Sequence, residues 1–96
     1  MKPSAALESN REAIRRIVEA NRAGNPRVFG SVLRGDDADG SDLDLLIDPT
    51  PETSLFDLNA IGNALERLLG IPVDVLTPNG LPDKFRAKVI AEARPV

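Results

Sequence analysis

The sequence predicts a small α/β protein with three short strands covered by helices, in the order helix, strand, helical turn, strand, helix, strand, helix. Three observations predict it. Apolar residues recur at helical spacing near the start, the middle and the end of the chain. Residues 42–48 alternate as a half-buried strand does, and glycine or proline punctuates the periodic stretches. Ninety-six residues with 42% hydrophobic content leave room for one modest core, so residues 1–96 are expected to form a single domain.

The first helix is expected from about Ser4 to Arg22, with Leu7, Ile14, Ile17 and Val18 on one stripe. Ser9-Asn10-Arg11-Glu12 would cap it if it starts late, and Gly24-Asn25-Pro26 ends it. Arg27-Val28-Phe29 is a short β-rich run entering Gly30-Ser31, followed by one helical turn through Val32, Leu33 and Arg34 to Gly35. Asp36 to Ser41 is a polar loop whose aspartates, Asp36, Asp37 and Asp39, are expected in solvent. An EF-hand reading of that cluster fails, because such a loop needs Asp at Gly35 and Glu at Leu46.

In the next strand Leu43, Leu45 and Ile47 take one face, while Asp42, Asp44, Leu46 and Asp48 take the other. Pro49 and Pro51 stop it. Ser54-Leu55-Phe56-Asp57 is the N-terminal box of a helix continued by Leu58, Ile61, Leu65, Leu68 and Leu69, with Gly70 in the C′ position. That stripe is read as core, with a partner face as the alternative. Ile71 to Leu76 is a strand with Val73 and Val75 on one face and Asp74 on the other. After the Thr77–Gly80 turn, Leu81 to Ala93 forms a last helix with Phe85, Val89 and Ile90 expected inward.

Composition narrows the chemistry. Zero Cys excludes disulfides, zinc-thiolate sites and thiol nucleophiles; zero His removes the commonest general base and transition-metal ligand. What remains is carboxylates, hydroxyls, Lys, Arg and backbone amides, a set that suits a hard cation such as Mg²⁺. The net charge, 12 − 15 = −3, and the absence of Tyr and Trp argue against a nucleic-acid partner. Lys84, Arg86 and Lys88, mixed with Asp83 and Glu92, read as a solvated helix face. No apolar run approaches the ~20 residues of a membrane span, so a cytoplasmic location is the expectation.

The central feature is Gly30-Ser31, ten intervening residues, then Asp42-Leu43-Asp44. A strand running into Gly-Ser at a helix start offers free N–H groups and a hydroxyl, and Gly30 lets a phosphate approach the backbone. Asp42 and Asp44, at i and i+2, stand on one face about 6.6 Å apart at Cα. With metal–oxygen bonds of about 2.1 Å, both carboxylates can reach one Mg²⁺ ion or bracket two. A phosphate cradle beside a carboxylate metal site suits a nucleoside triphosphate. Asp74 is the candidate third carboxylate, about 4.8 Å across the ladder if its strand lies adjacent. Asp48 shares the face but lies about 13 Å along the strand from Asp44 and is read as a solvated strand end.

Val28-Phe29-Gly30-Ser31-Val32-Leu33-Arg34-Gly35, followed by Ser41-Asp42-Leu43-Asp44-Leu45-Leu46-Ile47, resembles the signature of the minimal nucleotidyltransferases, the smallest members of the DNA-polymerase-β-like superfamily. The resemblance covers nearly the whole chain. It departs at Leu33, where such chains commonly carry Ala. The resemblance implies a polymerase-β-like fold, a short mixed sheet flanked by helices, and Mg²⁺-dependent transfer of a nucleoside monophosphate to a hydroxyl. It implies Asp42 and Asp44 as metal ligands, Asp74 as metal ligand or base, and Gly30 and Ser31 as triphosphate contacts. Arg34 either meets phosphate or pairs with the acidic loop.

Many relatives of this kind are antitoxins that transfer AMP from ATP to a tyrosine of a HEPN-type toxin. The resemblance therefore implies a hetero-oligomer with such a toxin. Two alternatives stand beside it: an antitoxin that acts by binding only, and a transferase of the aminoglycoside-modifying type. The triad favours an enzyme, and the small size disfavours an acceptor pocket for a small molecule.

Overall fold

The computed structural model describes residues 1–96. Helix α1 spans Pro3–Ala20, strand β1 Ala23–Phe29, the single turn α2 Ser31–Arg34 and strand β2 Leu43–Pro49. Helix α3 spans Leu55–Leu69 and strand β3 Val73–Leu76; a 3₁₀ turn at Pro78–Gly80, helix α4 at Asp83–Glu92 and strand β4 at Arg94–Pro95 complete the chain.

The four strands form one mixed sheet in the order β3-β2-β1-β4. β2 runs antiparallel to β1 and parallel to β3, and α3 is the crossover that parallel pairing needs. The alternation in β2 places Leu43, Leu45 and Ile47 in the main core, where none is accessible. Ile14 and Val18 from α1 and Ile61, Leu65 and Leu69 from α3 close over them. Burying a side chain of this size contributes about 1.5–3 kcal/mol. Leu46, on the opposite face of β2, is also fully buried, and the 3₁₀ turn packs against that strand. The predicted α/β layering and mixed sheet are therefore observed.

The box predicted at the start of α3 forms: Ser54 Oγ accepts from Asp57 N–H (3.2 Å) and Asp57 Oδ2 accepts from Ser54 N–H (2.9 Å). Gly70 ends the helix in the left-handed conformation, φ 70°. The box predicted at Ser9–Glu12 does not form. α1 already begins at Pro3, and Asn10 breaks it with φ −135° while its Nδ2 donates to the Ala6 carbonyl (2.9 Å). Glu12 instead pairs with Arg16 at 2.5 Å.

Four further expectations are corrected. Gly24-Asn25-Pro26 lies within β1, which tolerates it through a register slip between Gly24 and Arg27, with Asn25 at φ 49°. Asp37 is buried, and its Oδ2 accepts from Ser4 N–H at 2.8 Å, satisfying a donor of the first turn of α1. Phe85 and Ile90 are exposed and no residue of α4 is buried, because Arg86 ties the helix to the carbonyls of Pro78 and Leu81 (2.8 Å each) instead of an apolar face packing on the sheet. On α3, Leu68 of the core stripe is exposed, as are Leu55 and Phe56.

The fourth strand has no counterpart in the expected order. Arg94 pairs with Val28 and Pro95 with Arg27, Val96 N–H donates to the Pro26 carbonyl (2.9 Å), and Arg15 donates to Val96 O (2.6 Å). Two residues are too few to carry a period.

Candidate active site

The site lies where β1 ends and β2 and β3 begin. Directly paired residues share a face, so the register Phe29↔Asp44↔Asp74 puts these three side chains in a row across three strands. Asp42 immediately precedes β2 and shares their side by alternation. This face is opposite to the one carrying Leu43, Leu45 and Val28 into the core.

The turn after β1 is shaped around Asp44. Gly30 has φ 74° and ψ −146°, a conformation closed to residues with a side chain. A Cβ built on it would overlap Asp44 Oδ2 and lie 3.1 Å from its Cγ. The first N–H groups of α2 have no partner within the helix, and Gly35, at φ 78°, closes the turn behind them. With only four residues, α2 adds little macrodipole; the turn offers an anion its N–H groups and the Ser31 hydroxyl.

Electrostatically the site is short of positive charge. Burial raises the pKa of Asp44 from 3.8 to about 6, followed by the charge of Asp74, a hydrogen bond with Asp74 and the charge of Asp42; Arg34 pulls weakly the other way. Two further carboxylates beside a desolvated carboxyl make an environment that a cation would relieve. The donor set is all oxygen, which fits a hard divalent ion, and Gly30 keeps the space beside Asp44 clear. No group of three or more acidic side chains is gathered into a ready-made metal cluster, since Asp42 and Asp74 extend into solvent.

The candidate residues Gly30, Ser31, Arg34, Asp42, Asp44 and Asp74 all fall at this end of the sheet, and Asp48 lies away from it. Arg34 is exposed, with Nε 3.4 Å from Asp36 Oδ2, so in this structure it pairs loosely with the acidic loop. Asp48 is more than a solvated strand end: it forms an ion pair with Arg27, and its Oδ2 accepts from Asn25 Nδ2 at 2.8 Å. Phe29 is the aromatic of the site face. Its sequence signal was parity: it sits immediately before Gly30 and opposite in phase to the buried Val28. A small polar hollow of about 210 Å³ between α3 and the open edge of β3 reaches Asp74.

The sequence matches the family described as nucleotidyltransferase domain over residues 11–96. It is 40% identical over 65 residues to MJ1217 of Methanocaldococcus jannaschii, named as a protein adenylyltransferase; the match covers 68% of this chain and 66% of that one. It is 35% identical over 65 residues to protein adenylyltransferase MntA of Thermococcus cleftensis, with the same coverage of 68% and 66%. The matched stretch thus spans about two thirds of these relatives. A solved structure described as a minimal nucleotidyltransferase superposes with a TM-score of 0.86 at 39% identity, covering 97% of this chain and 95% of the other. A toxin–antitoxin crystal structure with AMP-PNP superposes with a TM-score of 0.71 over 97% of this chain and 71% of the other; at 14% identity it speaks for the fold alone.

Proposed function

The chain belongs to the nucleotidyltransferase domain family, and from that premise we propose that it transfers AMP from ATP to a hydroxyl of a partner protein. Residues 1–96 act as one minimal domain in this reading. The observation that carries it is the Asp44↔Asp74 pair beside the Gly30 turn: acidic groups held together next to a backbone surface that an anion can approach.

The acceptor oxygen attacks the α-phosphorus of ATP, a P–O bond to the β-phosphate breaks, and pyrophosphate leaves. Gly30 and Ser31 hold the triphosphate through N–H groups and the Ser31 hydroxyl. Asp74, exposed on the edge strand, takes the proton of the attacking hydroxyl. Asp42 and Asp44 would hold Mg²⁺, with Asp74 as a further ligand, and the ion would neutralise charge on the phosphates. Arg34, at the end of α2, is free to turn from Asp36 toward phosphate.

The acceptor is a tyrosine of a HEPN-type toxin, which this chain silences as an antitoxin. Relatives named as protein adenylyltransferases support a protein acceptor. No helix is long and apolar enough to cross a membrane. The test incubates the chain with such a toxin, ATP and Mg²⁺ and weighs both proteins by intact mass spectrometry. Addition of one or more AMP units to the toxin, lost with Asp44→Asn, is the expected result. Toxicity suppressed by Asp44→Asn without any mass change would make the chain a binding antitoxin instead.

A further inference from the structure

A second concavity of the molecule is not at the carboxylates. A groove of about 1060 Å³ runs between α1, α2, the end of α4 and β4, and no aspartate of the site lines it. Its floor includes Val28, whose side chain lies on the core face of the sheet, opposite to Asp44. A nucleotide held on the carboxylate face therefore does not fill it. The groove nonetheless begins at the site, because α2 starts at Ser31 and presents Leu33 and Arg34 to it.

Its walls differ in charge from the rest of the protein. Arg11 is neutralised by Glu8 at 2.5 Å. Arg34 has only its 3.4 Å contact with Asp36, and Lys88 and Arg94 take part in no ion pair. Three cations thus face one unpaired acid, Glu92, in a chain of net charge −3. The volume is at the upper limit of small-molecule pockets, about 300–1000 Å³. The apolar part of the lining is aliphatic, with no aromatic ring on which a nucleic-acid base could stack.

We infer that this groove docks an acidic, aliphatic-containing segment of the acceptor protein, with Lys88 and Arg94 meeting its carboxylates and Leu33 its apolar side chains. The inference rests on the reading that the acceptor is a protein. It assigns substrate selection to a surface round the end of β1 from the chemistry, and it gives the Leu33 departure a role in shaping the groove.

The test is binding without ATP, read by fluorescence anisotropy at low salt. The probes are a fluorescein-labelled glutamate–tyrosine copolymer, a lysine–tyrosine copolymer and a single-stranded oligodeoxynucleotide. Only the acidic copolymer should bind, and Lys88→Glu should weaken it about tenfold. Leu33→Ala should weaken it severalfold, whereas Lys84→Glu, on α4 but outside the groove, should leave it nearly unchanged. Failure of the acidic copolymer to bind overturns the inference. So do equal effects of Lys84→Glu and Lys88→Glu, or tighter binding of the oligonucleotide through Lys88. Acidic binding through Lys88 with neither copolymer labelled by ATP and Mg²⁺ would uphold the docking groove and count against the transferase reading.

Discussion

Asp44 occupies the space that a side chain on Gly30 would need. The glycine's close neighbour is thus a carboxylate of its own site, and the turn and the acid are fitted to one another before any phosphate arrives. Gly30 also holds a backbone conformation, φ 74° and ψ −146°, that other residues enter only with strain.

Gly30→Ala is therefore expected to cost about 1–3 kcal/mol in stability and to abolish transfer, even though the added group is a single methyl. Thermal unfolding and a labelled-ATP transfer assay check both. A variant with unchanged stability would contradict the Gly30–Asp44 fit.

Asp44→Asn is expected to stop transfer while raising the melting temperature of the metal-free protein at neutral pH, because it removes a desolvated charge facing Asp74 and Asp42. Asp48→Asn, remote from the site and paired with Arg27, is expected to keep transfer and to lose less than about 1 kcal/mol of stability. Chelation of divalent cations should silence the wild type as Asp44→Asn does. Calorimetry and the transfer assay separate these outcomes.

Ser31→Ala removes one hydroxyl donor to a charged ligand, an interaction of about 1.5–3 kcal/mol. Affinity for a non-hydrolysable ATP analogue with Mg²⁺ should fall about tenfold to a hundredfold by titration calorimetry. An unchanged affinity would place the triphosphate away from α2.

Acid stability should depend on Asp57. Its carboxylate accepts a hydrogen bond from Arg22 Nε (3.1 Å) and from Ser54 N–H, and these hold its pKa at about 2 instead of 3.8. A lowered folded pKa means that the unfolded state takes up the proton first. The stabilisation is therefore complete above about pH 4 and is lost as the pH falls through 4 toward 2. Urea midpoints measured across this window should fall less steeply for Asp57→Asn than for the wild type. Identical slopes would remove Asp57 as the cause.

What could be read in the sequence was whatever repeats or punctuates locally. The alternation of β2, the Ser54–Asp57 box, the Gly70 stop and the Gly30-Ser31…Asp42-Leu43-Asp44 spacing each depend on neighbours within one element or one connection, and each stands in the structure as expected. Asp74 could be matched to Asp44 because both strands carry a single clear parity. Tertiary structure alone decided the rest. Asp37 accepts from Ser4 in the first turn of α1, 33 residues earlier, so nothing beside it in the chain marks it as buried. β4 is two residues held by pairing to β1, with no pattern of its own. Phe85 and Ile90 have the spacing of a buried stripe, but burial needs an opposing surface, and Arg86 fixes α4 on the 3₁₀ turn instead. The cationic groove joins residues from α1, α2, α4 and β4, so its charge exists only once the chain has folded. Local periodicity can specify which face a residue takes; what that face meets depends on contacts between segments distant in sequence.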